Sequence, residues 1–296
     1  MMFDCINCAR KCKNGAFCGK VDNKVRVAKV MRHFFEEPII CPKNIGSGAV
    51  FFSFCNLKCV YCQNYQISHE GRGKDLTINE LAKIFKEIDN SNVANLNLVS
   101  PTHYAKEIVR ALEISNVKIP VVWNSGGYDS EETIESLKWL VDIFLFDVKY
   151  FSDDLAIKYS SAKGYFETCL RAIKKAREIV GDDEYDKNGI MKKGIILRHL
   201  VLPNASDDSI KIFEKIKLEL GTDVVISLMS QYYPCYKAKN IPEINTKLKP
   251  LEYKKVLLKV KKLGFKNGFI QDATSACSDY TPDFENNFFE LKQKSK

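Results

Sequence analysis

No apolar run approaches the roughly 18 residues of a transmembrane helix, so none is expected. The chain opens Met1-Met2-Phe3-Asp4-Cys5, without the basic-then-apolar layout of an export signal, and a cytoplasmic setting is expected. No internal repeat recurs at a fixed period. No ribonucleoprotein aromatic motif or basic repeat accompanies the net charge of +8, so neither nucleic acid nor membrane is an expected partner. The chain does not lack apolar residues: 45% hydrophobic against 28% charged excludes a largely disordered polypeptide. Its 296 residues can bury a full core without staples, either as two domains or as one barrel-sized domain.

Cysteine is plentiful and unevenly placed. Eleven are present, and positions 5, 8, 12, 18, 41, 55, 59 and 62 all fall in the first 62 residues. An odd count without an export signal argues against a disulfide framework and for metal binding in a reducing compartment. Cys169, Cys235 and Cys277 stand alone and read as small buried hydrophobes. Cys41 reads as incidental.

Residues 1–44 are turn-rich and cysteine-rich, and a regular pattern follows over 45–296. A compact apolar run, Gly48–Phe54, predicts a buried strand. Thr77-Ile-Asn-Glu80 is a capping-box signature that opens a helix to about Asp89. Strands are then predicted over 95–99, 119–124, 141–147, 194–202, 223–229 and 268–271. Helices are predicted between them over 104–115, 131–140, 164–180, 207–220 and 251–263. Such alternation implies a parallel sheet, because parallel neighbours need crossover connections. Six or seven such units predict an α/β fold built as a partial (β/α)6-type barrel, with chemistry at the C-terminal ends of the strands.

The strongest chemical signal is Cys55-Asn-Leu-Lys-Cys59-Val-Tyr-Cys62, directly after the first predicted strand. Structural zinc and a fully ligated iron–sulfur cluster each take four protein ligands. Three thiolates leave one position for a non-protein ligand, the arrangement of a catalytic centre. A structural zinc site with a borrowed fourth ligand is the alternative. A second group, Cys5-x2-Cys8-x3-Cys12-x5-Cys18-Gly19, has four thiols. It suits zinc, an auxiliary iron–sulfur cluster, or no metal, and the segment is expected to be separable from the chemistry at the three-cysteine loop, which a chain beginning near Val30 should retain.

The cysteine spacing, with Tyr61 as the aromatic, resembles the signature of the radical S-adenosylmethionine (SAM) superfamily. The segments Gly46–Ser68, Ser100-Pro-Thr-His103, Asn124-Ser-Gly-Gly-Tyr-Asp129, Arg198-His-Leu-Val-Leu-Pro203 and Met229-Ser-Gln-Tyr232 look like the pyruvate formate-lyase activating enzyme-related group. The resemblance implies that Cys55, Cys59 and Cys62 hold a [4Fe–4S] cluster whose fourth iron binds SAM. It implies one-electron cleavage of SAM to methionine and a 5′-deoxyadenosyl radical, which takes a hydrogen atom from a substrate. A flavodoxin or ferredoxin would supply the electron.

Candidate SAM contacts sit at strand ends. Ser100 and Thr102 occupy the place where many members of the superfamily carry Gly-Gly-Glu, which is absent here; a helix cap is their alternative role. Asn124-Ser-Gly-Gly-Tyr offers glycines for close backbone approach. Asp147 and Lys149 point the same way from one strand, into an interior where unpaired charge is costly, and pair with SAM or with each other. Arg198 and His199 are adjacent strand residues, so only one can face the site; His199 is a candidate contact and Arg198 an equal one. His33-Phe-Phe-Glu-Glu-Pro38 has no assignable role, and the basic helix 253–262 reads as a solvated face.

Three functions compete. The first is an activase that installs a glycyl radical on a partner enzyme; no glycyl-radical sequence is present in this chain. The second is a radical SAM enzyme acting on a peptide, RNA or small metabolite. The third is a non-catalytic metal or electron-transfer protein, which would gain nothing from an open iron.

Overall fold

The computed structural model describes residues 5–13, 17–20, 24–271, 282–284 and 287–291. Cys277 and the Lys-rich end after Leu291 lie outside the described residues. In chain order the elements are β1 (Val25–His33), β2 (Ser47–Phe52), α1 (Tyr65–Ser68), β3 (Lys74–Leu76), α2 (Ile78–Asp89), β4 (Leu96–Val99), α3 (Ala105–Ser115), β5 (Val121–Ser125), α4 (Glu131–Ser136), β6 (Ile143–Asp147) and α5 (Asp153–Ser160). They continue as α6 (Tyr165–Val180), β7 (Glu184–Tyr185), β8 (Met191–Leu200), α7 (Ser206–Leu220), β9 (Val225–Met229), α8 (Pro250–Leu263), β10 (Gly268–Ile270) and β11 (Phe289–Glu290).

One sheet runs β10-β9-β8-β6-β5-β4-β2-β1-β11. From β2 to β10 every pairing along it is parallel, and helices cross between neighbours. This is the partial α/β barrel the alternation implied. Among the described residues the end strands β10 and β11 do not pair with each other, so the sheet is partly open. No helix among the described residues is long and apolar enough to cross a membrane.

The period of two along each strand separates two layers. Outward residues such as Phe52, Leu98, Trp123, Phe144, Phe146 and Leu197 pack beneath the helices in the main core. Inward residues Val122, Ile143, Leu145, Ile196 and Val225 pack on Ile40 and Cys41, which plug the N-terminal end of the barrel. Helix α2 begins at the expected capping box, with Thr77 and Glu80 exchanging bonds. It buries Leu81, Ile84, Phe85 and Ile88.

The boundary expected near residue 44 does not divide the sheet. Strand β1 lies before it and pairs antiparallel with β2 along its length. Val25, Val27 and Val30 are fully buried, so a chain beginning near Val30 would lose half of a core strand. Nor does the cysteine-rich segment stand apart. Asn7 donates from Nδ2 to the His103 carbonyl at 3.0 Å, and Thr133 donates from Oγ1 to the Asn7 carbonyl at 2.8 Å. Lys20 and Glu107 form an ion pair at 2.8 Å with side chains only 4% and 5% exposed. The segment thus caps the ends of β4 and β5. Isolated polar and charged side chains make these contacts, and they carry no periodic signal.

Candidate active site

The loop between β2 and α1 carries Cys55, Cys59 and Cys62, and all three line one cavity of about 240 Å³. Each sulfur meets a polar neighbour. The Leu57 N–H donates to Cys55 Sγ at 3.4 Å, Cys59 Sγ lies 2.9 Å from Ser160 Oγ, and Cys62 Sγ lies 3.1 Å from Ser68 Oγ. Burial first, and repulsion from Cys59 second, push the Cys55 and Cys62 thiols up to about 12. Three thiols, Cys59 buried and Cys55 and Cys62 half-buried, gather with Lys149 as their nearby cation and suit a cationic centre that would hold them as thiolates. No three His, Cys, Asp or Glu side chains among the described residues converge on a single ion. The donor set, three cysteine thiols lining one cavity, fits an iron–sulfur cluster with one position left to a non-protein ligand. Tyr61, between the last two cysteines, lines the cavity and is buried. Its hydroxyl lies 2.5 Å from that of Tyr150, which lies 2.7 Å from Ser160 Oγ.

Opposite the thiols, a chain of half-buried charge crosses the barrel interior. Lys149 Nζ donates to Asp147 Oδ2 at 2.7 Å, and Arg198 Nε to Asp147 Oδ1 at 2.8 Å. Arg198 also donates from Nη1 to Glu36 Oε2 at 2.8 Å and from Nη2 to Asn124 Oδ1 at 2.7 Å. Glu36 Oε1 accepts from Asn97 and Asn124 at 3.0 and 3.1 Å. Burial alone would push the Asp147 carboxyl up; Arg198 and then Lys149 overcome it and hold it at about 2. Burial likewise works against the Lys149 ammonium, but Asp147 and then Cys59 hold it at about 12. The ammonium is thus kept charged beside the cysteine loop, where it can receive a carboxylate. The expected parallel display of Asp147 and Lys149 holds, and their ion pair is present.

Ser100 and Asn124 also line the cavity. Ser100 sits at φ 58°, a left-handed conformation uncommon for a residue other than glycine, and its N–H donates to the Asn124 carbonyl at 2.8 Å. Of the two glycines after β5, Gly126 lines the cavity, and a Cβ there would meet Leu57 Cδ1 at 2.8 Å. Gly127 serves packing instead: at φ +75° a Cβ would meet Cys169 Sγ at 2.6 Å and the Asp147 carbonyl at 2.7 Å.

Two expected contacts do not reach the cavity. Thr102 is buried and donates from Oγ1 to Asp129 Oδ1 at 2.8 Å, so Asp129 captures it. His199 points to the outer layer, as its place after inward Arg198 requires. Its Nδ1 lies 2.6 Å from the Val148 carbonyl, its Nε2 lies 2.8 Å from Ser209 Oγ, and Phe213 packs edge-on. Burial pulls the imidazole down to about 4. Glu36, from the His33–Pro38 segment, was not expected at the site. It precedes the barrel in sequence, and only the plug that follows β1 carries it inside. The legible signal was a pair of carboxylates, Glu36-Glu37, within an otherwise apolar stretch.

Cys5, Cys8, Cys12 and Cys18 gather behind the cysteine loop. The Cys5 N–H donates to the Cys12 carbonyl at 3.0 Å, and Cys8 bridges to Asp129. Burial first, then the neighbouring Cys5, Cys18 and Cys12, push the Cys8 thiol up to about 12. These four are not closed around a single ion either. Cys169, in the main core, and Cys235 are buried, as expected, and Cys41 is buried in the plug.

Residues 49–216 match the Radical SAM superfamily. An uncharacterized protein of Methanocaldococcus jannaschii is 36% identical over 234 residues, covering 76% of this chain and 64% of the relative. The structure of SuiB from Streptococcus suis, bound to S-adenosylmethionine, aligns with a TM-score of 0.50 at 13% identity, over 74% of this chain and 48% of SuiB. That likeness concerns the fold. The chain spans less than two thirds of the length of either relative.

Proposed function

The chain belongs to the radical SAM superfamily, whose chemistry rests on a [4Fe–4S] cluster and SAM, and from that premise we propose that it installs a glycyl radical on a partner enzyme in the cytoplasm. When bound, the cluster supplies the single electron that splits SAM into methionine and a deoxyadenosyl radical. A flavodoxin or ferredoxin would supply that electron. Cys55, Cys59 and Cys62 are the proposed cluster ligands, and they suit the role because they share the cavity with the charged chain. Lys149 would receive the carboxylate of SAM, Asp147 would keep that ammonium charged and oriented, and Ser100 and Asn124 would offer polar atoms along the rest of the cofactor. Cys5, Cys8, Cys12 and Cys18 would hold a second metal or auxiliary cluster, since four thiols, three of them buried, are gathered there.

The observation that carries the reading is that one cavity holds both halves of this chemistry and opens to the surface. Phe35, 57% exposed, lines the same cavity as Cys59 and Lys149. A peptide loop entering beside Phe35 along the partly open barrel could bring a glycine to the radical. Phe51, Leu57 and Ile67 give that region apolar walls. The activating-enzyme-like segments quoted from the sequence favour a glycyl target over other substrates.

The test is anaerobic reconstitution with iron, sulfide, SAM and dithionite, beside a glycyl-radical enzyme deuterated at its glycines. Deuterium in 5′-deoxyadenosine is expected, with a glycyl electron paramagnetic resonance (EPR) signal on the partner that is a narrow line in the deuterated protein and a doublet in the protiated one. Uncoupled deoxyadenosine formation with every glycyl-radical enzyme, alongside deuterium uptake from a small peptide, RNA or metabolite, would replace the partner reading with that substrate.

A further inference from the structure

We propose that Arg10 is a positioning residue for the iron–sulfur centre, clamping the Cys55–Leu57 turn from outside the barrel and setting a fixed positive charge beside it. The inference rests on the reading of Cys55, Cys59 and Cys62 as cluster ligands. Arg10 lies between Cys8 and Cys12, in the cysteine-rich segment. Its Nε donates to the carbonyl of Asn56, the residue after Cys55, at 2.6 Å. Its Nη2 reaches the carbonyl of Ser160 at 3.3 Å, and the Ser160 hydroxyl touches Cys59 Sγ at 2.9 Å. The guanidinium thus holds both sides of the loop, because the Lys58 N–H also donates to the Ser160 carbonyl at 3.1 Å.

The surroundings keep it there. The guanidinium carbon lies 3.5 Å from the centroid of the Phe17 ring and 5.4 Å from that of Tyr128. Asn56 Nδ2 donates to the Tyr128 carbonyl at 2.8 Å, so the turn is tied to the same aromatic residue that supports the arginine. Planar, forked and always charged, a guanidinium can span two carbonyls and stack on a ring at once, which an ammonium cannot. Among the described residues no carboxylate forms an ion pair with it, and the titratable groups acting on it most strongly are Tyr128, Cys8, Cys55 and Cys12. A half-buried cation facing thiols rather than acids favours negative charge on those thiols and on whatever they bind. Reduction adds one negative charge to the centre, so Arg10 should make reduction easier. The cysteine-rich segment then contributes to radical generation without touching SAM.

The experiment uses the full chain, reconstituted anaerobically, with the redox midpoint read on the EPR signal that changes when SAM is added. That response selects the centre with an open iron over any iron in the N-terminal group. Arg10→Gln should move the midpoint to more negative potential and alter the signal. Arg10→Lys, which keeps the charge and loses the fork, should move it less. An unchanged midpoint and signal in a loaded Arg10→Gln protein would overturn the proposal. If Arg10→Gln does not load, Arg10→Lys and Phe17→Leu are read instead, and wild-type values in both would overturn it. A SAM-responsive signal that survives replacement of Cys55, Cys59 and Cys62 would instead remove the ligand reading beneath it.

Discussion

Replacing Arg198 with methionine removes the one cation shared by Glu36 and Asp147. In the native protein these side chains are 15%, 7% and 21% exposed, and the two ion pairs are both 2.8 Å long. Methionine fills a similar volume, so the loss is mainly electrostatic. Glu36 would keep only two neutral amide donors, Asn97 and Asn124. Stranding a buried charge in this way costs about 3–5 kcal/mol. The sign of the pH dependence follows from Asp147, held at about 2 against an ordinary 3.8. Its contribution is complete above pH 3.8 and is lost as pH falls through 2. At about 1.4 kcal/mol per unit it amounts to roughly 2 kcal/mol, most of which needs Arg198. Anaerobic urea unfolding of the metal-free protein at pH 7 should show the loss in Arg198→Met. The same titration between pH 4 and 2 should show a shallower decline than in wild type. Once Glu36→Gln has removed the carboxylate, Arg198→Met should cost less than it does alone. A loss below about 1 kcal/mol, or additive effects within about 0.5 kcal/mol, would refute the charge chain as a coupled unit.

Cys59→Ala should lose the SAM-responsive iron by anaerobic iron counting and spectroscopy; full iron and SAM cleavage after loss of all three loop cysteines would reject the cluster assignment. Lys149→Met should retain iron but bind SAM about 10- to 150-fold more weakly, as expected for one charge-assisted hydrogen bond of about 1.5–3 kcal/mol. Equilibrium binding checks this, and unchanged affinity in both Lys149→Met and Asp147→Asn would leave a purely structural ion pair. His199, pulled to about 4 against 6.5, gives stability that is complete above pH 6.5 and falls by up to about 3 kcal/mol as pH drops through 4. His199→Gln should flatten that window in unfolding experiments and leave SAM affinity unchanged, whereas weakened binding would contradict its outward position.

Local pattern alone determined much of this protein. The three-cysteine loop is contiguous, and the alternation of apolar strands with amphipathic helices announces the parallel sheet. Thr77 and Glu80 meet because three residues separate them at a helix start. Asp147 and Lys149 share a side because strand periodicity is two. Tertiary structure decided whatever depended on residues distant in sequence. Strand β1 was missed because Val25–His33 mixes valines with Lys29, Arg32 and His33, and its partner lies beyond a long plug. Arg198 and His199 were equivalent until neighbouring strands fixed the register, Asp147 pairing with Arg198. Thr102 has the composition of a ligand contact, yet a buried carboxylate 27 residues away captures it. Glu36 reaches the site across 162 residues to meet Arg198, and Arg10 reaches the cysteine loop across 46 to meet Asn56. Periodicity reports only which face a residue occupies on its own element. The partner that face meets is set by how the elements close on one another.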